Sequence, residues 1–287
     1  MHPILLITLL ALSVIAPARA QSSLPPQAQE IAYGSHPLQR FDLWRGKSKG
    51  APLILFVHGG GWQDGDKEWI GAATVRHFVD SGFAYGSLNY RLVPEATIEQ
   101  QIQDAASAVA FLLSHSEELG IRRDRLLLIG HSSGGHLAAL IATDPLYLRQ
   151  VGLQQSAVGG VVLLEGAGLA RRVLAPGESP KPHPVFGSPD RQLSLSPSSH
   201  TAAPNAGQFL MLVAGNVELK RQASLLAGGL LAARTGAAVV DVPDSDHNLL
   251  VSKLGSSNDR ATALIDEFTR KVFTAQPQSA RPASSVR

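Results

Sequence analysis

Leu126-Leu127-Leu128-Ile129-Gly130-His131-Ser132-Ser133-Gly134-Gly135-His136-Leu137 is the stretch on which the reading of this chain turns. An apolar run of strand length enters a turn that has a glycine two residues before Ser132 and another two after it. From Gly134 to Ala142 the pattern becomes helical. A strand, a tight glycine-flanked turn and a helix form the context that lifts a serine hydroxyl above the end of a sheet. Ser133 has His131, not glycine, two residues before it. Ser132 is therefore the candidate nucleophile, and Ser133 the neighbour that offers its backbone N–H. So short a pattern arises often by chance, and the surrounding sequence has to decide.

Outward from this turn, apolar runs of strand length alternate with helical patterns. The runs are Pro52 to His58, Phe83 to Tyr90, Leu126 to Gly130, Val158 to Leu164, Phe209 to Ala214 and Ala237 to Val242. Their near-continuous Leu, Ile and Val content is that of parallel strands buried on both faces. Between them, Ile98 to Leu113 repeats apolar residues at three and four, a single core-facing stripe, and Gly120 supplies a stop. Ile70 to Val79, Gly134 to Ala142, Leu219 to Ala233 and Asp259 to Val272 read as further helices. The alternation predicts an α/β fold, a doubly wound, mostly parallel sheet flanked by helices. A pair around Phe41-Asp42-Leu43 should add an antiparallel edge. The Pro-, Gly- and Ser-rich stretch from Gly166 to Gly207 breaks the rhythm and reads as a short irregular lid or wall.

A second motif, His58-Gly59-Gly60-Gly61-Trp62, ends an upstream strand. Bare glycine backbone can approach a substrate carbonyl and aim N–H groups at a developing oxyanion. In strand–elbow–helix folds the order along the chain is serine, acid, histidine, so the base must follow Ser132. His136 lies in the helix behind the elbow, where packing or a local bond suits it, and His183 and His200 fall in the Pro-rich stretch. His247 alone follows the last strand, within Asp244-Ser245-Asp246-His247, and is the expected general base. Two carboxylates compete as its partner. Glu218 stands three residues past Gly215, after the Phe209 strand, and is the expected triad acid, although it also suits the first turn of a helix. Glu165, at the end of the Val158 strand, is the rival.

Composition narrows the classes. The chain has 287 residues, 44% of them hydrophobic, enough for one large core. Lys and Arg number 25 against 23 for Asp and Glu, with no basic run, so no nucleic-acid partner is expected. There is no cysteine, which excludes disulfides and thiol catalysis. Histidines and acids show no metal-ligand spacing, and no metal or other cofactor is expected. The apolar run Ile4 to Ile15 followed by Ala18-Arg19-Ala20 reads as a signal peptide cleaved after Ala20. The expected product is exported, periplasmic or secreted, without stable membrane insertion. Residues 21–30 read as a flexible lead-in, 31–275 as the folded domain and 276–287 as a disordered tail.

These motifs together resemble the α/β-hydrolase superfamily, in particular the hormone-sensitive-lipase-like and feruloyl-esterase-like serine esterases, with kynurenine formamidase as a relative. The resemblance runs from about Ile31 to Phe273. It includes Gly65-Asp66-Lys67, Asn89-Tyr90-Arg91-Leu92-Val93-Pro94 and Gln101-Ile102-Gln103-Asp104, and it implies a structural role, not a catalytic one, for Asp104. It implies Ser132 as nucleophile, His247 as base, and Gly60, Gly61 and the Ser133 amide as the oxyanion hole. Relatives commonly carry Asp where this chain has Glu218. The activity implied is hydrolysis of small-molecule esters, short-acyl or aryl, through an acyl-enzyme. The same machinery would serve an amidase or formamidase, and a binding protein on this fold would be expected to lose the nucleophile or base.

Overall fold

The structure is a computed structural model that describes residues 27–170 and 181–274. The expected signal peptide and tail, and most of the lead-in, lie outside the described residues. The apolar runs become strands β1 (Gln29–Ala32), β2 (Arg40–Trp44), β3 (Ala51–Val57), β4 (Ala84–Leu88), β5 (Ile121–His131), β6 (Gly160–Leu164), β7 (Gln208–Val213) and β8 (Gly236–Asp241). They form one sheet in the order β1-β2-β4-β3-β5-β6-β7-β8. β2 pairs antiparallel with both β1 and β4, and all pairings from β4 to β8 are parallel. Every residue of β4 and of β6 is buried, as strands covered on both faces must be, whereas β8, at the open edge, is half exposed.

Helices cover both faces. They are α1 (Ala72–Asp80), α2 (Ile98–Ser114), α3 (Ser116–Leu119), α4 (Ser133–Thr143), α5 (Pro145–Gln150), α6 (Pro189–Ser194), α7 (Val217–Ala232), α8 (Leu249–Ser252) and α9 (Arg260–Thr274). Val75 and Phe78 of α1 join Ile265 and Phe268 of α9 in one apolar cluster, and α2, α4 and α7 supply the other. α2 starts on a capping box, the Thr97 hydroxyl taking the Gln100 N–H while the Gln100 side chain takes that of Thr97. α4 is buried at all of its eleven positions, a helix sealed inside the molecule directly behind the elbow.

Two departures from the sequence expectation have local causes. β5 begins at Ile121, five residues before its apolar run, because Ala51 pairs with Ile121 across a register shift and the charged residues between carry no apolar signal. β1 takes in Gln29 and Glu30 from the expected lead-in; its side chains are mostly exposed, and its backbone pairing with β2 is what holds it.

Candidate active site

The elbow follows from glycine packing. A side-chain carbon on Gly134 would stand 2.2 Å from the carbonyl oxygens of Val57 and His58, and one on Gly130 would stand 2.5 Å from that of Gly134. Only bare backbone lets α4 run this close to β3. Ser132 caps α4 at φ 52°, ψ −120°, a conformation that costs a non-glycine residue about 1–3 kcal/mol and is held by its surroundings. Its N–H donates to the Leu164 carbonyl (3.0 Å), and its own carbonyl accepts from Ala167 (3.0 Å), fixing the turn to the end of β6.

The second glycine motif folds over this turn. A Cβ on Gly59 would be 3.1 Å from the Ser132 Cβ. Gly60 (φ 121°), Gly61 (φ 63°) and Trp62 (φ 64°) all take positive φ, and the Gly60 carbonyl accepts from Gln63 and Asp64. Among the described residues, no backbone carbonyl outside the helices and strands takes the Gly60 or Gly61 N–H. The Ser133 N–H opens α4, where no helical partner exists. The far end of the turn is anchored deeply. Lys67 is buried with its ammonium on Asp42 (3.0 Å) and Glu30 (3.1 Å), its N–H on the Asn89 side chain and its carbonyl under the Ser87 hydroxyl. Asp104, also buried, grips Arg91 through both carboxylate oxygens and accepts from Gln39. The motifs at 65–67, 89–94 and 101–104 thus form the frame of the turn.

His247 stands beside the elbow, its ring centroid 4.6 Å from that of His131. Its Nδ1 donates to Glu165 Oε2 (2.8 Å), which leaves Nε2 as the nitrogen free to take a proton. The Glu165 side chain is fully buried, whereas that of His247 is 39% exposed. The other Glu165 oxygen accepts the Ala214 N–H (2.8 Å), so both oxygens are satisfied and the carboxylate is fixed in place. Asp246 accepts from the N–H groups of Asn248 and Leu249, and Asp244 takes φ 60°; both shape the loop, as their sequence position suggests.

Glu218, the expected acid, is not at this site. α7 starts at Val217, two residues earlier than its apolar pattern, with Asn216 as cap. Glu218 is thereby wound into the first turn, where it pairs with Arg221 (2.6 Å) and accepts from Gln222 (2.9 Å). The carboxylate on His247 is Glu165, because β6 lies next to β5 in the sheet and its end delivers residue 165 beside the elbow. The signal available in the sequence was a carboxylate closing an otherwise apolar strand that abuts the serine strand.

The remaining histidines are occupied elsewhere. His136, fully buried, accepts from Trp62 Nε1 (3.3 Å) at Nδ1 and so donates from Nε2 to the Leu195 carbonyl (2.7 Å). Burial pushes its pKa down to about 4. His136, His183 and Phe186 pack edge to face around the Trp62 ring. His183 Nδ1 accepts from Val185, and His200 donates to Ser194. His131, quoted within the elbow but given no role by sequence reasoning, donates Nε2–H to the main-chain carbonyl of His247 (2.8 Å).

Residues 42–148 match the BD-FAE family model. Both glycine motifs fall inside that span; Glu165 and His247 fall outside it. The chain is 34% identical over 125 residues to Esterase LipC of Mycobacterium tuberculosis, covering 42% of this chain and 31% of that protein. It is 33% identical over 117 residues to a probable isoprenylcysteine alpha-carbonyl methylesterase of Arabidopsis thaliana, covering 40% of this chain and 24% of that protein. The matches thus span about a third or less of these relatives' own lengths. Among solved structures, butyrate-bound Est2 from the Planctomycetes species Thermogutta terrifontis aligns with TM-score 0.71 at 19% identity, over 88% of this chain and 97% of its own. A truncated carbohydrate esterase from gut microbiota aligns with TM-score 0.73 at 18% identity, over 88% and 99%.

Proposed function

We propose that this chain, an α/β hydrolase by fold, hydrolyses carboxylic esters through an acyl-enzyme on Ser132. The observation that carries the reading is the buried Glu165 carboxylate bonded to Nδ1 of a half-exposed histidine beside a strained, glycine-flanked serine. The relatives, an esterase and a probable methylesterase by name, point the same way.

In this reading His247 Nε2 takes the Ser132 proton as Oγ attacks the ester carbonyl. Glu165 holds the imidazole in the Nδ1–H tautomer and stabilises the imidazolium that forms. The N–H groups of Gly60, Gly61 and Ser133 receive the oxyanion, and His247 returns the proton to the departing alkoxide. Water then attacks the acyl carbonyl, giving a proton to His247, and the second tetrahedral intermediate releases the acid product as His247 returns that proton to the leaving Ser132 Oγ.

The substrate class we propose is soluble short-acyl or aryl esters. Support comes from the stretch 166–207, in whose described part the one α-helix is the six-residue α6, too short to offer a lipid-facing amphipathic lid. The experiment is a panel of esters of graded acyl length, aryl esters and formamides, run with the purified protein and with Ser132→Ala. We expect highest kcat/KM on short or aryl esters and a loss of about 10³-fold or more in the variant. Faster turnover of emulsified long-chain ester would refute the substrate class. Preference for formamides would make the enzyme a formamidase, and full activity in Ser132→Ala would remove the nucleophile.

A further inference from the structure

We infer that His131 is a positioning residue for the general base: it fixes the main chain of His247 to the elbow strand, so that nucleophile and base share one rigid frame. The inference deepens the ester-hydrolase reading and rests on it for its kinetic consequences.

His247 sits on a loop between β8 and α8, with its imidazole 39% exposed. Among the described residues its side chain makes one hydrogen bond, from Nδ1 to Glu165. The flanks of the loop are held by buried Val242 and Leu250, but a bond at the ring does not itself fix the main chain of residue 247, and any displacement there changes the distance from Nε2 to Ser132. The second anchor is the bond from His131 Nε2–H to the carbonyl of His247 itself (2.8 Å). A carbonyl only accepts, so the His131 proton must lie on Nε2. Residue 131 immediately precedes the nucleophile and is the last residue of β5. The path from serine to base therefore runs through one peptide unit, one ring and one hydrogen bond.

The ring that carries this bond is itself held. His131 is 9% exposed, and its Nδ1 side lies so close to the glycine turn that a Cβ on Gly59 would come within 2.9 Å of Nδ1. The ring faces His247 at 4.6 Å with 42° between planes. Burial pushes its pKa down to about 4, so it remains a neutral single-proton donor through the neutral range. One imidazole thus touches the glycine turn, belongs to the elbow and tethers the base loop.

The test compares His131→Phe, which keeps a ring but has no donor, with His131→Gln, whose amide nitrogen can reach the same carbonyl, and His131→Asn, whose amide is too short to reach it. Steady-state kinetics on a soluble aryl ester are read together with the low-field proton resonance of His247 Nδ1–H, and a thermal melt verifies folding. Displacement of a catalytic group by about 1 Å can cost ~10²-fold, so we expect His131→Phe and His131→Asn to lower kcat by about 10- to 100-fold. KM should move less than about twofold, because substrate contacts are untouched. The low-field resonance should broaden or vanish in both, and His131→Gln should recover most of the rate and the signal. If Phe is too unstable to assay, the Asn and Gln pair decides alone. Wild-type kcat with a sharp resonance in Phe or Asn, or a folded Gln variant no better than Asn, overturns the inference. Should the wild-type protein hydrolyse no ester, the proposed function fails, and the resonance alone decides the tether: lost in Phe and Asn it stands, retained it falls.

Discussion

The elbow half of the site, from β3 through α4, and the acid–base half, from β6 through the His247 loop, are built by different means. In the first, close contact within and between neighbouring elements demands particular residues: Gly130 and Gly134 are required where α4 crosses β3 and β5, and Gly60 where the turn doubles back on Asp64. In the second, Glu165 and His247 are separated by 82 positions and meet because β6, β7 and β8 line up in sequence order across the sheet. Nothing local requires them. The BD-FAE match stops between the halves, covering the region with a residue-level signature and leaving the region defined by topology.

The sharpest break of this comparison lies at the acid. A triad carboxylate replaced by its amide leaves geometry intact but misorients the imidazole, so Glu165→Gln should lower kcat by about 10²- to 10⁴-fold with little change in melting temperature. Glu218→Gln removes the charge that pairs with Arg221 on the helix surface and should keep activity within about twofold of wild type. A crippled Glu218 variant beside an active Glu165 variant would reverse the assignment.

A second test probes the seam between the halves. His136 on α4 is bonded to Leu195 in the 166–207 stretch and held neutral by burial, its pKa down to about 4. The unfolded chain binds this proton below the ordinary histidine value and the native chain does not. Its contribution is therefore full above about pH 6.5 and is lost as pH falls through about 4, amounting to roughly 3 kcal/mol. Urea unfolding at pH 7 and pH 4.5 should show a smaller pH-dependent loss in His136→Gln than in wild type, although the variant starts less stable at pH 7. Parallel curves for the two proteins would show that His136 takes up no proton on unfolding.

The smallest effects contrast two glycines. Gly134→Ala forces a methyl against the Val57 and His58 carbonyls and should destabilise by about 1–3 kcal/mol. Gly228, exposed within α7, has nothing within 4 Å of an added Cβ, and Gly228→Ala should stabilise by about 0.5–1 kcal/mol. Thermal melts that move in the same direction would contradict the contrast.

The same division explains what the sequence made legible. The sheet, its helices and the elbow were readable because apolar periodicity and obligatory glycines are local. His247 was readable from chain order, since no other histidine follows the last strand. Glu165 was named only as a rival to Glu218. The spacing from Gly215 favours Glu218 until α7 is seen to begin at Val217, which turns that residue toward Arg221. His131 was invisible as a tether because its partner is a main-chain oxygen 116 positions away, and a carbonyl has no residue signature.

The order in which the site's parts appear along the chain also governs when it can act. Synthesis proceeds from the N-terminus, so the glycine turn emerges first, the elbow next, then Glu165, and the imidazole last of all. In the proposed mechanism Ser132 lacks its proton acceptor until β8 has paired with β7 and the following loop has reached His131. On that reading, a growing chain, or one caught half-folded before that point, is not yet able to acylate Ser132. In that mechanism the strand order itself delays acylation until the chain has folded to its last strand.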